Sequence, residues 1–412
     1  MDERPKPFAA VTFNTARKGP LDSVSVLDLS RLVAGNMLSL QLGDLGAEVI
    51  KVEPPRGDPL RDWREDGEPL FWKTYARNKR SLLLDLRVTE ARETLLRLIA
   101  GVDVMIENYR PGTLEEMGLG PDVLHARNPD LILVRISGFG QTGPYAELPG
   151  FGTLVEAMSG FAARTGFPDR EPVLPPLALA DMIAGLYGSN AVVTALLARM
   201  RGTARGQVID VSLLEAIFSI LGPEAAIYRH TGKVKERVGS ASNTSAPRNV
   251  YRCADGKYVA LSASMQSMAK RVLAVIGRPE MIEEERFRTN SARVKPQNRA
   301  LLDAAVGGWF AQRTRDEALH IMRENEVTVG PVYNIDDAVE DAHFRVREII
   351  VDAQDEDLGA IPMHNIVPRL SATPGVWRHP ASALGEHTDE ILKEAGYDAA
   401  GIAALRACKA TA

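Results

Sequence analysis

One aspartate stands where a carboxylate could do covalent chemistry. Asp181 precedes the long apolar stretch Met182–Leu197, so the pattern places it at the N-cap or in the first turn of a helix. A carboxylate at a helix start is usually a cap. A carboxylate is also ionised at neutral pH, so it can attack a carbonyl carbon without an adjacent general base. From the residues alone, both interpretations of Asp181 stay open.

Three further segments could bind an anion. Asn78-Lys-Arg80 and Asn108-Tyr-Arg110 each lie beside a predicted strand, where open sheets bind ligands. Gly138–Gly143 follows another strand, and its glycines would let backbone amides approach a ligand or an oxyanion. A solvated charged rim and a tight turn are the alternatives. These residues predict an α/β enzyme with an anion site.

The common catalytic motifs do not occur in the sequence. It contains no GxGxxG after a strand, no Walker lysine motif, no GxSxG and no HExxH. The two cysteines and seven histidines show no metal-ligand spacing, so we expect neither a disulfide nor a metal. The net charge is −5 and the basic residues are spread along the chain, unlike those of a nucleic-acid binder.

The first part of the chain alternates strands and helices. The apolar runs predict strands at Val24–Leu29, Glu48–Val52, Ser81–Leu86, Asp103–Ile106 and Leu131–Ile136. The amphipathic stretches predict helices at Met37–Leu45, Glu90–Ile99 and Pro121–Ala126. This alternation predicts a parallel sheet with helices on both faces.

Helices dominate the middle of the chain, and the composition then changes near Tyr228. We expect helices at Thr153–Ala163, Asp181–Met200, Ser212–Ile227, Met265–Ile276, Leu301–Glu324 and Asp389–Ala407. Asn249–Ser262 predicts a hairpin that turns at Asp255-Gly256. The expected domains are residues 1–227 as the first part of a large domain, 228–330 as a small inserted domain, and 331–412 as the return to the large domain with the C-terminal tail.

Taken in order, the motifs resemble the family III CoA-transferases, also called the CaiB/BaiF family. This family includes the formyl-CoA and carnitine enzymes and, as a divergent branch, the α-methylacyl-CoA racemases. The motifs that carry the resemblance are Val26–Gly35, Leu42–Glu53, Gly57–Pro59, Asn78–Ser81, Leu84-Asp85, Glu107–Gly112, Ser137–Tyr145, Ala180-Asp181, Arg205–Leu213 and Leu384–Thr388.

The resemblance implies a fold and a set of site residues. The fold is α/β, with a Rossmann-like large domain formed by both chain ends, a smaller inserted α+β domain, and two chains interlocked in a homodimer. The nucleophile falls on Asp181. The positions that bind coenzyme A fall on Val33, Ala34, Pro54, Leu84, Asp85, Leu86, Arg87, Asn108, Tyr109 and Arg110. An active-site loop of Gly138, Phe139, Gly140 and Gln141, with Gly239–Ser245, would shield the thioester from water.

The implied activity moves coenzyme A from an acyl-CoA donor, such as succinyl-CoA, to a carboxylic acid through an aspartyl-CoA intermediate. The expected partners are acyl-CoA, small carboxylic acids and a second copy of the chain, without nucleic acid or membrane. No permanently bound cofactor or metal is expected, and the predicted location is the cytoplasm. Arg61, Arg64 and Arg110 are candidates for a second carboxylate of the substrate.

Three positions depart from the family pattern. Gly152 stands where many transferases have an acidic residue, Val33 where the formyl enzyme has glutamine, and Glu116 where a basic residue or a histidine is often found. The racemases use a histidine base immediately after the glycine at position 150, and this chain has Phe151 there. Transfer is therefore favoured over racemisation. A non-catalytic acyl-CoA-binding protein is the third alternative.

Overall fold

The computed structural model describes residues 7–412. Within that range the chain forms twelve strands: β1 (Ala9–Val11), β2 (Ser25–Asp28), β3 (Glu48–Glu53), β4 (Lys79–Leu83), β5 (Val104–Glu107), β6 (Ile132–Ser137), β7 (Gln207–Ser212), β8 (Arg248–Arg252), β9 (Tyr258–Ser262), β10 (Val329–Pro331), β11 (Ile350–Asp355) and β12 (Gly359–His364).

The same range forms nineteen α-helices: α1 (Ala34–Asp44), α2 (Leu70–Tyr75), α3 (Thr89–Ile99), α4 (Thr113–Glu116), α5 (Pro121–Arg127), α6 (Gly152–Met158), α7 (Phe161–Arg164), α8 (Leu179–Met200), α9 (Leu213–Ser219), α10 (Glu224–Thr231), α11 (Gln266–Val275), α12 (Glu285–Arg288), α13 (Asn290–Arg293), α14 (Pro296–Phe310), α15 (Arg315–Glu324), α16 (Ile335–Glu340), α17 (Ala342–Val346), α18 (Thr388–Glu394) and α19 (Ala399–Ala407).

The chain divides into two compact units. The first comprises the chain up to Phe161, Leu174–Gly222 and Ala342–Ala412. The second comprises Ala162–Val173 and Pro223–Asp341.

The first unit is built on a six-stranded parallel sheet in the order β4-β3-β2-β5-β6-β7. Chain connections run outward in one direction from β2 and in the other from β5, which makes the β2–β5 boundary the topological switch point. In open α/β sheets, ligands bind outside the carboxyl ends of the strands at that boundary. The predicted α/β class with a large parallel sheet is confirmed.

Both faces of the sheet are buried, and each strand sends alternate side chains to opposite faces. Val26 of β2 packs in one core with residues of α1 and α8, whereas the adjacent Leu27 packs in the other core with residues of α3, α18 and α19. The near-continuous apolar runs of these strands follow from this two-sided burial.

Helix α8 is, among residues 7–412, the one helix long and apolar enough to cross a membrane by length and composition alone. Its buried residues Ala184, Val192 and Leu196 belong to the core beside α1. That packing buries one side of α8 in the core.

Four predicted helices are divided in the structure. One of them is Asp389–Ala407, which Gly396, with a φ of +85°, separates into α18 and α19. Thr153–Ala163 is interrupted by Gly160, whose φ of +92° a helix does not allow. Ser212–Ile227 starts as predicted, with the Ser212 hydroxyl capping α9, but it divides into α9 and α10 at Gly222, whose φ is +79°. Leu301–Glu324 divides where Thr314 and Glu317 form a capping box that begins α15.

The C-terminal segment covers the β4 edge of the large sheet. The amide of Asn78 donates to the carbonyl of His379, and that of His387 donates to the carbonyl of Ser81. Covering an edge satisfies backbone groups that would otherwise be open to another chain. A separate three-stranded sheet, β1-β11-β12, also belongs to this unit.

The second unit contains the antiparallel sheet β10-β9-β8. Its β8–β9 hairpin confirms the predicted one, with Gly256 at a φ of +80° in the turn. Helices α11, α14 and α15 supply Val272, Leu302 and Leu319 to the core of this unit.

Candidate active site

The loops that follow β2 and β5 hold each other at the switch point. The amide of Arg31 donates to Asn108 Oδ1 at 2.9 Å, and Asn108 Nδ2 donates to the Arg31 carbonyl at 2.8 Å. Asn108 therefore fixes the backbone of the first loop with its side chain, at the place where the fold predicts a ligand.

A network of buried charges holds the loop that follows β2. Lys51 Nζ lies 3.3 Å from Asp28 Oδ1 and 3.1 Å from Asp58 Oδ2, and it donates to the Ser30 carbonyl. Asp58 Oδ1 accepts the amide of Leu32 at 2.9 Å. These contacts hold Leu32 at a φ of +61°, a left-handed conformation that is strained for leucine.

The charges of this network shift each other's ionisation. Burial lowers the pKa of Lys51, but the carboxylates of Asp28, Asp58 and Glu53 outweigh that effect, so the net pKa is raised. Burial raises and Lys51 lowers the pKa of Asp58, and its hydrogen bonds help to bring the net pKa below its usual value. The loop is thus tied to charges that stay paired at neutral pH.

Helix α8 is brought close to α1 by a glycine. A Cβ atom at Gly185 would lie 2.8 Å from the Ala34 carbonyl oxygen and 2.8 Å from Met37 Cβ. Only a residue without a side chain permits this approach. Because Gly185 lies one turn after Asp181, the contact sets the start of α8 beside the start of α1.

Asp181 lies in the first turn of α8 and does not cap it. The N-cap residue is Ala178, three residues before Asp181. The carboxylate occupies the space that a Cβ atom at Gly152 would fill. Burial, and then the charge of Glu156, raise the pKa of Asp181 to about 6. The group remains mostly ionised at pH 7.

Two cavities lie at the carboxyl ends of the strands of the large sheet. The Asp181 cavity, of about 440 Å³, is lined by Arg31, Leu32, Ala34, Pro59, Asn108, Tyr109, Arg110, Ile136, Ser137, Gly138, Pro149, Gly150, Phe151, Asp181 and Leu213. The Leu86 cavity, of about 550 Å³, is lined by Arg31, Val52, Pro54, Pro55, Arg56, Gly57, Pro59, Leu84, Asp85, Leu86, Arg87, Tyr109 and Met117. The two share Arg31, Pro59 and Tyr109, so they are neighbouring parts of one groove.

Most of the positions predicted to bind coenzyme A line one of these cavities. Ala34, Asn108, Tyr109 and Arg110 line the Asp181 cavity. Pro54, Tyr109 and all four residues from Leu84 to Arg87 line the Leu86 cavity. Val33 lines neither, because its side chain is buried against Leu60, Trp72 and Ala76.

The glycine loop has a different arrangement from the predicted one. The Gly140 amide donates to Ser137 Oγ and the Gln141 amide to Asp210 Oδ2, each at 2.9 Å. These two amides are therefore not available to a ligand. Phe139 makes an edge contact with Tyr145. Gly138 alone of the four predicted loop residues lines the Asp181 cavity.

Asn78-Lys-Arg80 is not an anion site. Asn78 Nδ2 donates to Asp44 Oδ1 and Lys79 Nζ to Asn36 Oδ1, both at 2.8 Å. The Arg80 guanidinium is paired with Glu48, Glu390 and Glu394. The segment is structural, since its donors are used within the protein.

The three arginines predicted for a second carboxylate differ in availability. Arg61 forms a bidentate pair with Glu53 at 2.8 Å and stacks on Trp72, so its guanidinium is occupied. Arg64 donates to the Gly67 carbonyl and lines neither cavity. Arg110 lines the Asp181 cavity, and in residues 7–412 no carboxylate is paired with it.

Two charged residues of the site were not predicted. Arg31 lines both cavities. It lies inside the motif Val26–Gly35, so its position in that motif could have indicated a site residue. Glu156 is buried on α6, and its Oε1 accepts the amide of Ala180 at 3.0 Å. A glutamate within the largely apolar segment Gly152–Met158 was the available sign.

Known proteins resemble the chain over most of its length. A model of the family described as CoA-transferase family III matches residues 21–388. The succinyl-CoA–D-citramalate CoA-transferase of Chloroflexus aurantiacus is 42% identical over 91% of this chain and 94% of its own. The succinyl-CoA–L-malate CoA-transferase alpha subunit of Chloroflexus aurantiacus is 39% identical over 94% of this chain and 92% of its own.

A solved structure agrees with these sequence matches. The crystal structure of a CaiB/BaiF family protein from Brucella suis superposes with a TM-score of 0.80 and 36% identity, covering 92% of this chain and 100% of that one. The chain belongs to CoA-transferase family III and is an enzyme that transfers coenzyme A from an acyl-CoA to a carboxylic acid.

Proposed function

We propose that this enzyme transfers coenzyme A from succinyl-CoA to another dicarboxylic acid through an aspartyl-CoA thioester on Asp181. The observation that carries the proposal is the position of the Asp181 carboxylate. It lines a cavity at the switch point, and that cavity shares Arg31, Pro59 and Tyr109 with the adjoining Leu86 cavity. A long thioester substrate could occupy both cavities with its carbonyl carbon beside Asp181.

The chemistry follows from the charge of Asp181. Its carboxylate oxygen attacks the thioester carbonyl carbon, the C–S bond breaks, and the thiolate leaves with the electron pair. The thiolate then attacks the aspartyl carbonyl of the resulting anhydride, which releases the donor acid and leaves aspartyl-CoA. The acceptor carboxylate reverses both steps. No proton transfer is required, consistent with a site that has no histidine in its lining.

The Leu86 cavity is the proposed site for the coenzyme. Its walls are largely apolar, and Arg31, Arg56 and Arg87 supply positive charge for the phosphates. Arg87 is already paired with Asp85 at 2.6 Å. Arg31 and Arg56 have no paired carboxylate in residues 7–412, so their donors are available to a phosphate.

The acid is proposed to be dicarboxylic because of Arg110. This guanidinium lines the cavity that contains the nucleophile, and no carboxylate of the described chain neutralises it. The named relatives use succinyl-CoA with citramalate or malate, which are also dicarboxylic acids. A second carboxylate beside Arg110 would supply a charge-assisted pair.

Proton abstraction next to the thioester carbonyl has less support. Phe151, which stands where the racemases have a histidine base, lines the Asp181 cavity and carries no titratable group. An acyl-CoA-binding protein without activity would have no use for a carboxylate in that position.

We further propose that the enzyme is a cytoplasmic homodimer and that the two compact units are the large and the inserted domain of the family fold. Leu186, Val193, Leu197 and Met200 of α8 are all at least 41% exposed. A second copy could cover these side chains. Light scattering on the purified enzyme tests the dimer, and a monomeric mass would overturn it.

A transfer assay tests the proposed reaction. The enzyme is incubated with succinyl-CoA and a panel of dicarboxylic and monocarboxylic acids, and new CoA thioesters are separated by chromatography. We expect transfer to dicarboxylic acids, and none by Asp181→Asn. Exchange of the α-proton of an acyl-CoA with deuterated water, without transfer to any acid, would contradict the proposal and favour racemisation.

A further inference from the structure

A second carboxylate lies beside Asp181 and takes no part in the steps described above. Glu156 is 2% exposed and lines neither cavity, so it does not reach a substrate. Its Oε1 accepts the amide of Ala180, the residue before Asp181, at 3.0 Å. The side chain therefore holds the first turn of α8 directly.

The carboxylates of Asp181 and Glu156 both lie next to Gly152. A Cβ atom at Gly152 would contact Asp181 Oδ2, and it would lie 3.8 Å from Glu156 Oε1. Gly152 and Glu156 are four residues apart on α6, one helical turn, so they face the start of α8 together. The missing side chain at Gly152 lets α6 bring a buried negative charge next to the nucleophile.

We propose that Glu156 is a positioning residue for CoA transfer, whose fixed negative charge beside Asp181 favours the uncharged aspartyl-CoA thioester over the free carboxylate. This inference rests on the proposed role of Asp181 as the nucleophile. It assigns Glu156 a part in the reaction that is separate from substrate contact.

The charge balance of the reaction gives the reason. When Asp181 attacks, its negative charge passes to the CoA thiolate, and when the thiolate attacks the aspartyl carbonyl, the charge leaves with the donor acid. Asp181 is then a neutral thioester. Glu156, which accepts the Ala180 amide at 3.0 Å, keeps its negative charge throughout. Repulsion from Glu156 acts on the carboxylate and is relieved in the intermediate, so it favours acylation.

The other charges near Asp181 do not cancel this repulsion. The loop after β2 brings Arg31, and the loop after β5 brings Tyr109 and Arg110. Helix α1 has no titratable residue before Asp44, and Glu215 of α9 lines a different cavity. Although the arginines favour a carboxylate, burial and Glu156 still raise the pKa of Asp181.

The variant Glu156→Gln separates charge from hydrogen bonding. Its amide oxygen can still accept the Ala180 amide, while the negative charge is removed. We expect the acid limb of the pH profile of kcat/KM to move down by about one unit, the size of shift that one nearby charge produces. We also expect at least a threefold lower fraction of enzyme trapped as aspartyl-CoA with succinyl-CoA. Glu93→Gln, on the exposed side of α3, is the matched control and should match wild type.

The variant Glu156→Asp keeps the charge but shortens the side chain, so it should lose rate at every pH without the shift of the acid limb. Thermal melting confirms that each variant is folded. If wild type forms the Asp181 adduct and Glu156→Gln shows the same pH profile and adduct fraction, the inference is overturned. If wild type itself forms no adduct at Asp181, the proposed function fails instead, so the two failures are distinguishable.

Discussion

The carboxylate of Asp181 occupies the space that the Cβ atom of any residue other than glycine would fill at position 152. Gly152 belongs to α6 and Asp181 to α8, so the two helices approach each other at this point. The glycine at position 152 leaves this space to the Asp181 carboxylate in this chain.

Replacing Gly152 by alanine should displace the Asp181 carboxylate. A displacement of about 1 Å at a reacting group lowers turnover by about a hundredfold, so we expect a loss of kcat of that order. Steady-state kinetics measure it. Gly101→Ala is the control, since a Cβ atom there would meet nothing closer than 3.9 Å. Equal turnover in the two variants would show that Asp181 does not depend on this space.

The ionised Asp181 should destabilise the fold. Because its pKa is raised from 3.8 to about 6, the folded state binds the proton more tightly than the unfolded state. The cost is therefore present above pH 6 and disappears as the pH falls towards 4. Asp181→Asn should be more stable than wild type at pH 8 by up to about 3 kcal/mol. Urea unfolding of both proteins at pH 8 and pH 5 measures the difference in the free energy of unfolding, which should be smaller at pH 5. A variant less stable than wild type at pH 8 would contradict this prediction.

Lys51 should contribute to stability far more than an exposed lysine. Lys51→Met leaves Asp58 buried without its lysine and Asp28 with only Lys79, 3.7 Å away, and breaking a buried pair costs about 3–5 kcal/mol. The exposed pair of Lys18 with Asp22 is worth at most about 1 kcal/mol, so Lys18→Met is the control. The free energies of unfolding come from urea titrations. Equal losses would show that the buried network does not support the loop after β2.

The large sheet and the nucleophile could be predicted from the sequence because both leave local signals. Apolar runs such as Leu131–Ile136 predict buried parallel strands, and Asp181 stands directly before a long apolar helix. Strand β7 was missed because Gln207–Ser212 neither forms a continuous apolar run nor alternates strictly, and a helix follows it at once.

The remaining parts of the site depend on contacts between distant segments. No local pattern shows that the Arg61 guanidinium is held by Glu53 or that the Gln141 amide is held by Asp210. Glu156 lies near Asp181 because α6 packs against the start of α8. Such tertiary contacts decide which charges are free, and a single sequence does not display them.

Arg110 should determine the preference for dicarboxylic acids. Arg110→Met removes the unpaired guanidinium of the Asp181 cavity. The KM for dicarboxylic acceptors should therefore rise at least tenfold, because a hydrogen bond to a charged group contributes about 1.5 kcal/mol or more. The KM for monocarboxylic acceptors should change little. Arg64→Met, outside both cavities, is the control. A uniform change for both classes of acid would assign Arg110 to the coenzyme instead.

In the proposed reaction, Asp181 carries coenzyme A as a covalent thioester. The most direct measurement is intact-protein mass spectrometry after brief incubation with succinyl-CoA, followed by borohydride or hydroxylamine trapping and peptide mapping. We predict that the intact protein gains the mass of coenzyme A less one water before trapping. The side chain that borohydride then converts to an alcohol, or hydroxylamine to a hydroxamate, should map to Asp181, and the modification should be absent from Asp181→Asn. An adduct on another residue, or catalysed transfer that persists in Asp181→Asn, would contradict it.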